Sequence, residues 1–298
     1  MVAEPAAEAL ESVEADSGPP GPPAPPALPG WPWWAAPLAL VGALVLTAVA
    51  SLVVDLPALA LGVSITSSHT PPGLIIADTV VQDLSFVIAS VYCARLGARA
   101  VRSWQFGLRR PTVGWGTAVV MVAGLVIGFI LLDAIWSEIV NPGKEKLLEQ
   151  LGTKESTDLL IFSAGLTCVI APICEEFLFR GYIFTALRGS AGTLPAALIT
   201  GLLFGGVHAT SAPVADLLPL AALGFGLCLL YRYTGSLYPG IAAHSLNNSL
   251  AFAGLAGWQW WQGLALIVAA LVGIAAVVSA CKRAGLIAPV TGLPGPAA

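Results

Sequence analysis

The chain has 298 residues, of which 57% are hydrophobic and only 10% charged, and its mean hydropathy is +0.84. A soluble globular domain carries roughly 25% charged residues, so this balance excludes a soluble protein and defines an integral membrane protein. The net charge of −4 arises in the tail: five of the seventeen acids (Glu4, Glu8, Glu11, Glu14, Asp16) precede Trp31 with no Lys or Arg. The rest of the chain has twelve acids against thirteen basic residues, a near-neutral body with no patch for nucleic acid.

Residues 1–34 form a tail, acidic at first and then proline-rich. The run 18–29 (GPPGPPAPPALP) is polyproline-prone and is predicted to be disordered or extended. No positive n-region precedes an apolar stretch, so no signal peptide is expected here. Five cysteines (Cys93, Cys168, Cys174, Cys228, Cys281) show no CxxC spacing and read as small core hydrophobes.

Apolar runs of about twenty residues predict an all-α, polytopic membrane bundle of about eight transmembrane helices. The first is 35–54, with Trp31, Trp33 and Trp34 as interfacial anchors. The second, 74–96, carries Asp78 and Asp83, and the third is 113–133. The fourth runs from about 158 to 178 and continues helical towards Arg188. A short, glycine-rich fifth covers 194–210, followed by 213–231, 236–255 and 260–280, with Trp258, Trp260 and Trp261 as a second interfacial belt. The chain thus divides into the tail 1–34, N-terminal helices and loops 35–154, a polar-residue core 155–255, and a last helix with its C-terminal tail 256–298.

Basic residues choose the orientation. Arg95, Arg99, Arg102, Arg109 and Arg110 lie between spans two and three, and Arg188, Arg232, Lys282 and Arg283 follow spans four, six and eight. All fall on one face of an even-numbered bundle, which the positive-inside rule makes cytoplasmic together with both termini. The opposite face has Lys144, Lys146 and Lys154 mixed with Glu138, Glu145, Glu149 and Glu155, so 136–157 reads as an amphipathic loop lying on the membrane.

Three polar clusters interrupt the apolar spans: Glu175, Glu176 and Arg180; then His208; then His244 with Asn248. A charge at the bilayer centre costs at least ~2.5–3.5 kcal/mol on insertion scales, so such residues mark a functional interior. Glu176 and Arg180 are four apart and can pair along one helix face. Glu175 points about 100° away with no local cation, which suits a general base. His208 ends Phe204-Gly-Gly-Val-His208, and Gly201, Gly205 and Gly206 leave room for a close helix or substrate backbone. His244 and Asn248 share a face of span seven, where their N–H groups could hold an oxyanion, or Asn248 could orient His244 as a metal ligand. Interhelical polar contacts contribute roughly 0.6 kcal/mol each, too little to account for three such clusters.

In order and spacing, E-E-x-x-x-R, F-x-x-x-H and H-x-x-x-N resemble the CPBP group of intramembrane proteases. That group includes the type II CAAX-prenyl endopeptidases and the bacteriocin-processing or self-immunity Abi proteins. The first motif stands as Glu175-Glu176-Phe-Leu-Phe-Arg180 followed by Gly181-Tyr182, the second ends at His208, and the third is His244-Ser-Leu-Asn-Asn248. The likeness covers about 155–255; upstream only Phe106-Gly-Leu-Arg-Arg-Pro111 is similar to bacterial members. It implies that Glu175 and His208 activate the attacking water, that His244 and Asn248 bind the oxyanion, and that Glu176 and Arg180 shape the site. Glu175, His208 and His244 could also ligate Zn²⁺, three ligands plus a water being the usual catalytic arrangement; no HExxH is present, and a metal-free, glutamate-driven hydrolysis needs no further residue.

The expected protein is therefore an intramembrane endopeptidase of the bacterial cell membrane, acting on a peptide or membrane-protein substrate, with its site in the cytoplasmic half of the bilayer. The competing readings are a proton-coupled transporter, which predicts inverted repeats not visible between the halves, and a non-catalytic membrane adaptor. One geometric tension stands out. Glu175 near the cytoplasmic end of span four leaves His208 about 20 Å away along span five, so the helices must tilt or begin elsewhere.

Overall fold

The computed structural model describes residues 29–65, 70–96, 101–140 and 147–287, and those residues are helical or loop throughout. The expectations for the acidic and proline-rich tail, for Arg99, and for Lys144, Glu145 and Lys146 lie outside the described residues. Eight long helices form the bundle: α1 (Ala35–Ala60), α2 (Pro72–Leu96), α3 (Trp115–Val140), α4 (Thr157–Ala191), α5 (Thr193–Val207), α6 (Leu217–Thr234), α7 (Leu237–Leu255) and α8 (Trp260–Arg283). Seven are long and apolar enough to cross a membrane; α7, which carries His244, Asn247 and Asn248, falls short on composition.

Three features differ from the sequence reading. The α3 helix runs on to Val140 and takes in Glu138, while the described part of the predicted amphipathic loop contains a helical turn at Leu147–Gln150. Trp31 is no interfacial anchor: it is 5% exposed, with its ring 5.0 Å from Phe106 and 4.9 Å from Tyr182, whereas Trp33 and Trp34 stay exposed. The third difference resolves the tension in depth. Because α4 is helical for 35 residues, Glu175 sits mid-helix, about 24 Å before its end at Ala191 at 1.5 Å per residue. His208 caps α5 about 22 Å after its start at Thr193, so the two lie at similar depth, at mid-bundle rather than near one end.

Helices α5 and α6 pack at backbone distance. A Cβ on Gly201 would lie 2.6 Å from the Ala221 carbonyl oxygen, and one on Gly205 would strike the Leu217 carbonyl. Gly206 faces open space and takes no part in this crossing. The segment Phe106-Gly-Leu-Arg-Arg-Pro111 has a structural task. Phe106 stacks on Phe177 at 4.3 Å, the Gly107 carbonyl accepts from Leu237 N at 2.8 Å, and Arg109 Nε donates to the Gly235 carbonyl at 2.8 Å. Ser236 Oγ returns a 2.5 Å hydrogen bond to the Arg109 carbonyl. The segment thereby clamps the α6–α7 turn, and with it the start of the helix that carries His244.

Candidate active site

The site begins with a local irregularity in α4. Two π-helical stretches, Leu166–Ile170 and Phe177–Phe184, flank the α-helical turn Ala171–Glu176. Such bulges are rare and recur at functional sites. Pro172 supplies one physical cause: with no N–H, it cannot bond the Cys168 carbonyl one turn back. That carbonyl is taken instead by Ser245 Oγ of α7 at 2.6 Å, and the neighbouring Thr167 carbonyl by Asn248 Nδ2 at 3.0 Å. The bulge therefore binds α7 to α4 next to the polar residues of both.

Glu176 and Arg180 are fully buried, and Arg180 Nη1 donates to Glu176 Oε1 at 2.8 Å. The guanidinium also donates through Nη2 to the Gly224 carbonyl at 3.0 Å and lies 4.4 Å from the centre of the Phe204 ring. Gly240 makes room for this pair, since a Cβ there would come within 2.9 Å of Glu176 Oε2.

His244 is 3% exposed, and its ring lies between the two glutamates. Its Nδ1 is 3.1 Å from Glu176 Oε1, and its Nε2 is 3.8 Å from Glu175 Oε2. A carboxylate paired with arginine can only accept, so Nδ1 carries the proton and Nε2 faces Glu175. When Nε2 is also protonated, the ring is an imidazolium held by Glu176, a donor able to meet negative charge.

His208 reaches the same region through Phe204, whose ring is 5.0 Å from that of His208 and 5.5 Å from that of His244. His208 Nδ1 donates to the Phe204 carbonyl at 2.7 Å, which leaves Nε2 as a bare acceptor. Glu175 is 8% exposed, and its Oε2 has no hydrogen-bond partner. The structure thus joins Glu175, Glu176, Arg180 and His244 by direct approach, anchors Asn248 beside them on the α4 backbone, and connects His208 through one aromatic ring.

Ser245, Phe204 and Gly240 belong to this arrangement and were not singled out as working residues in the sequence. Ser245 sits inside His244-Ser-Leu-Asn-Asn248, and Pro172 inside an apolar run was a visible sign of a broken helical ladder. As a metal centre the fit is poor. Glu175 and the two Nε2 atoms are suitable donors for Zn²⁺, but among the described residues no three His, Cys, Asp or Glu side chains converge as a ligand set.

A bundle of apolar helices that encloses carboxylates, imidazoles and a carboxamide defines a membrane protein with a polar reactive interior. Residues 157–250 match the family model described as Type II CAAX prenyl endopeptidase Rce1-like. The resemblance to the CPBP family carried by the three motifs holds for this segment. A Bacillus subtilis (strain 168) protein named "Putative membrane peptidase YdiL" is 36% identical over 84 residues, 28% of this chain and 33% of that protein. An "Uncharacterized protein" of Mycoplasma capricolum subsp. capricolum is 26% identical over 145 residues, 44% of this chain and 42% of the other. The chain therefore spans between a third and a half of the length of these curated relatives. No solved structure gives a significant match.

Proposed function

We propose that this chain is an intramembrane endopeptidase that cleaves peptide or membrane-protein substrates at the Glu175–His244 centre. The observation that carries the reading is the approach of His244 Nε2 to the unpartnered Glu175 Oε2 at 3.8 Å inside the bundle. A water beside both atoms meets a proton acceptor on one side and the imidazole on the other.

Glu175, assisted by the bare Nε2 of His208, takes the proton from water as its oxygen attacks the scissile carbonyl. His244, held by Glu176, and the second N–H of Asn248 receive the charge that develops on the carbonyl oxygen. The proton on Glu175 then passes to the leaving amine. Arg180 pairs with Glu176, and Glu176 keeps the His244 ring in place. No step is routed through a metal ion. An apolar groove of about 440 Å³, lined in part by Ile76, Val80, Leu166, Val169 and Val277, lies between α2, α4 and α8 and suits a lipid-facing substrate segment.

The arginines between α2 and α3 support an orientation with that loop and both termini in the cytoplasm of a bacterial cell; labelling of single cysteines at 101–110 from outside intact cells would reverse this orientation. The decisive experiment for function is substrate profiling of the purified full chain in detergent, wild type against Glu175→Ala. Cleavage products present only with the wild type support the proposal. A wild-type protein that cleaves no peptide or membrane-protein substrate in that profile, or equal products from both proteins, overturns it.

A further inference from the structure

The end of the bundle where α2, α4, α6 and α8 finish carries Arg95, Arg109, Arg188, Arg232 and Lys282, and among the described residues no acid accompanies them. The described acids stand mid-bundle (Asp83, Glu175, Glu176) or towards the opposite end. Three of the arginines gather around the Tyr231 ring. Arg188, in the last turn of α4, has its guanidinium carbon 5.7 Å from the centre of the Phe184 ring, and Phe184 meets Tyr231 of α6 edge-on at 6.1 Å. Tyr231 also packs against the Gly107 backbone, so closely that a Cβ there would strike the ring. Two residues on, Arg109 Nε donates to the Gly235 carbonyl, and Gly235 N donates to the Tyr231 carbonyl, both at 2.8 Å. Arg232 follows Tyr231 in the last turn of α6. Arg109 and Arg232 thus stand near enough for their charges to act on Arg188.

A cation in the last turn of a helix complements its dipole, which accounts for part of this cluster. It does not account for the rest. Arg188 is half-buried and Arg232 exposed, and neither has a hydrogen bond or an ion pair among the described residues. Arg109 leaves both terminal nitrogens without an acceptor. Planar guanidinium forks match the oxygens of a phosphate, and basic pockets between membrane helices take lipid headgroups. The depth is right for such a ligand. Trp33, Trp34, Trp115 and Tyr233 are exposed at this same end, and exposed aromatic residues of membrane helices sit at headgroup level. Leu194 and Leu198 of α5, just past the end of α4, are exposed too and offer an apolar surface for acyl chains.

We propose that Arg109, Arg188 and Arg232 form a site for a phosphate group, supplied by the headgroup of an anionic phospholipid. The site lies about 20 Å further along α4 than Glu175, at 1.5 Å per residue, and does not depend on the chain being a peptidase. A phosphate held there ties the ends of α4 and α6 to the segment that clamps the α6–α7 turn. Occupancy therefore stabilises the bundle.

The test titrates the purified, delipidated full chain in neutral detergent with phosphatidylglycerol, phosphatidylcholine or inorganic phosphate. Native mass spectrometry reads bound lipid, and thermal unfolding reads stability. Phosphatidylglycerol is expected to bind and raise Tm, and phosphatidylcholine, whose choline offsets its phosphate, to bind more weakly. Arg188→Gln and Arg232→Gln should each weaken phosphatidylglycerol binding by about fivefold or more, while Arg95→Gln at the end of α2 leaves it nearly unchanged. Equal affinity for the two lipids overturns the proposal. So does a loss in Arg95→Gln as large as in Arg188→Gln, which would mark a diffuse field instead of a site. Inorganic phosphate raising Tm as far as phosphatidylglycerol would overturn the lipid source. Should Arg188→Gln fail to fold, Arg232→Gln decides, since its side chain is exposed and bonded to nothing that holds the fold.

Discussion

Asn248 donates its side-chain N–H to the Thr167 carbonyl at 3.0 Å, from α7 onto the first π-helical stretch of α4. One donor of the carboxamide is thus used to hold the side chain still, and the other is the one the proposed scheme assigns to the oxyanion. Asn248→Ala removes both. Turnover should fall by about 10²–10³, the range for loss of one oxyanion donor. The measurement is kcat on a cleavable peptide; a loss confined to KM would remove Asn248 from the transition state.

Glu175→Gln keeps size and hydrogen-bonding capacity but cannot take a proton. The variant should fold with a melting temperature close to that of wild type and show no measurable turnover. Full activity in Glu175→Gln would refute the assignment of the base.

Arg180→Ala should act on stability first. It strands the buried Glu176 carboxylate and so loosens His244, and breaking a buried pair costs about 3–5 kcal/mol. Thermal unfolding in detergent would read this as a large drop in Tm. Arg180→Lys should recover only part of it, because a single ammonium cannot reach both Glu176 and the Gly224 carbonyl.

Ser245 and Pro172 should be coupled. Ser245→Ala leaves the buried Cys168 carbonyl unpaired, at about 1–3 kcal/mol. Pro172→Ala gives that carbonyl a backbone donor again. In a double-mutant cycle the pair of changes should therefore cost less than the sum of the single ones; strict additivity would show that the two side chains do not serve the same carbonyl.

Metal removal discriminates between the hydrolytic schemes. Under the glutamate scheme, EDTA or phenanthroline leaves turnover largely intact, and elemental analysis of active protein finds no stoichiometric zinc. Chelator-sensitive turnover with zinc that is released by His208→Ala or His244→Ala would establish the zinc scheme instead.

Much of the bundle was legible because α-helical membrane spans are written in composition: α1, α2, α5, α6 and α8 begin within a few residues of where apolar runs place them. The pairing of Glu176 with Arg180 followed from spacing alone. What spacing could not convey was the contact of His244 with both glutamates, which depends on how α7 lies against α4. Nor could it convey the π-helical stretches, since a change in hydrogen-bond register leaves no mark in hydropathy. Trp31 departs from the expected headgroup position for a related reason: an aromatic residue at the start of a span is equally suited to a headgroup layer or to a ring cluster with Phe106 and Tyr182, and only the tertiary packing chooses. Asp83 drew notice as a charge in a span, but its near-complete burial is a property of packed helices.

The brevity of α5 has a consequence for the solvent. With the turn that follows, it spans Thr193–Thr210, 18 residues or about 27 Å, at the short end of what a hydrocarbon layer of ~30 Å asks of a helix, and His208 stands in its last turn. A bilayer meeting so short an element thins locally or admits its headgroups. Under the proposed hydrolysis, such thinning would bring water close to the His208 imidazole, beside an otherwise apolar bundle.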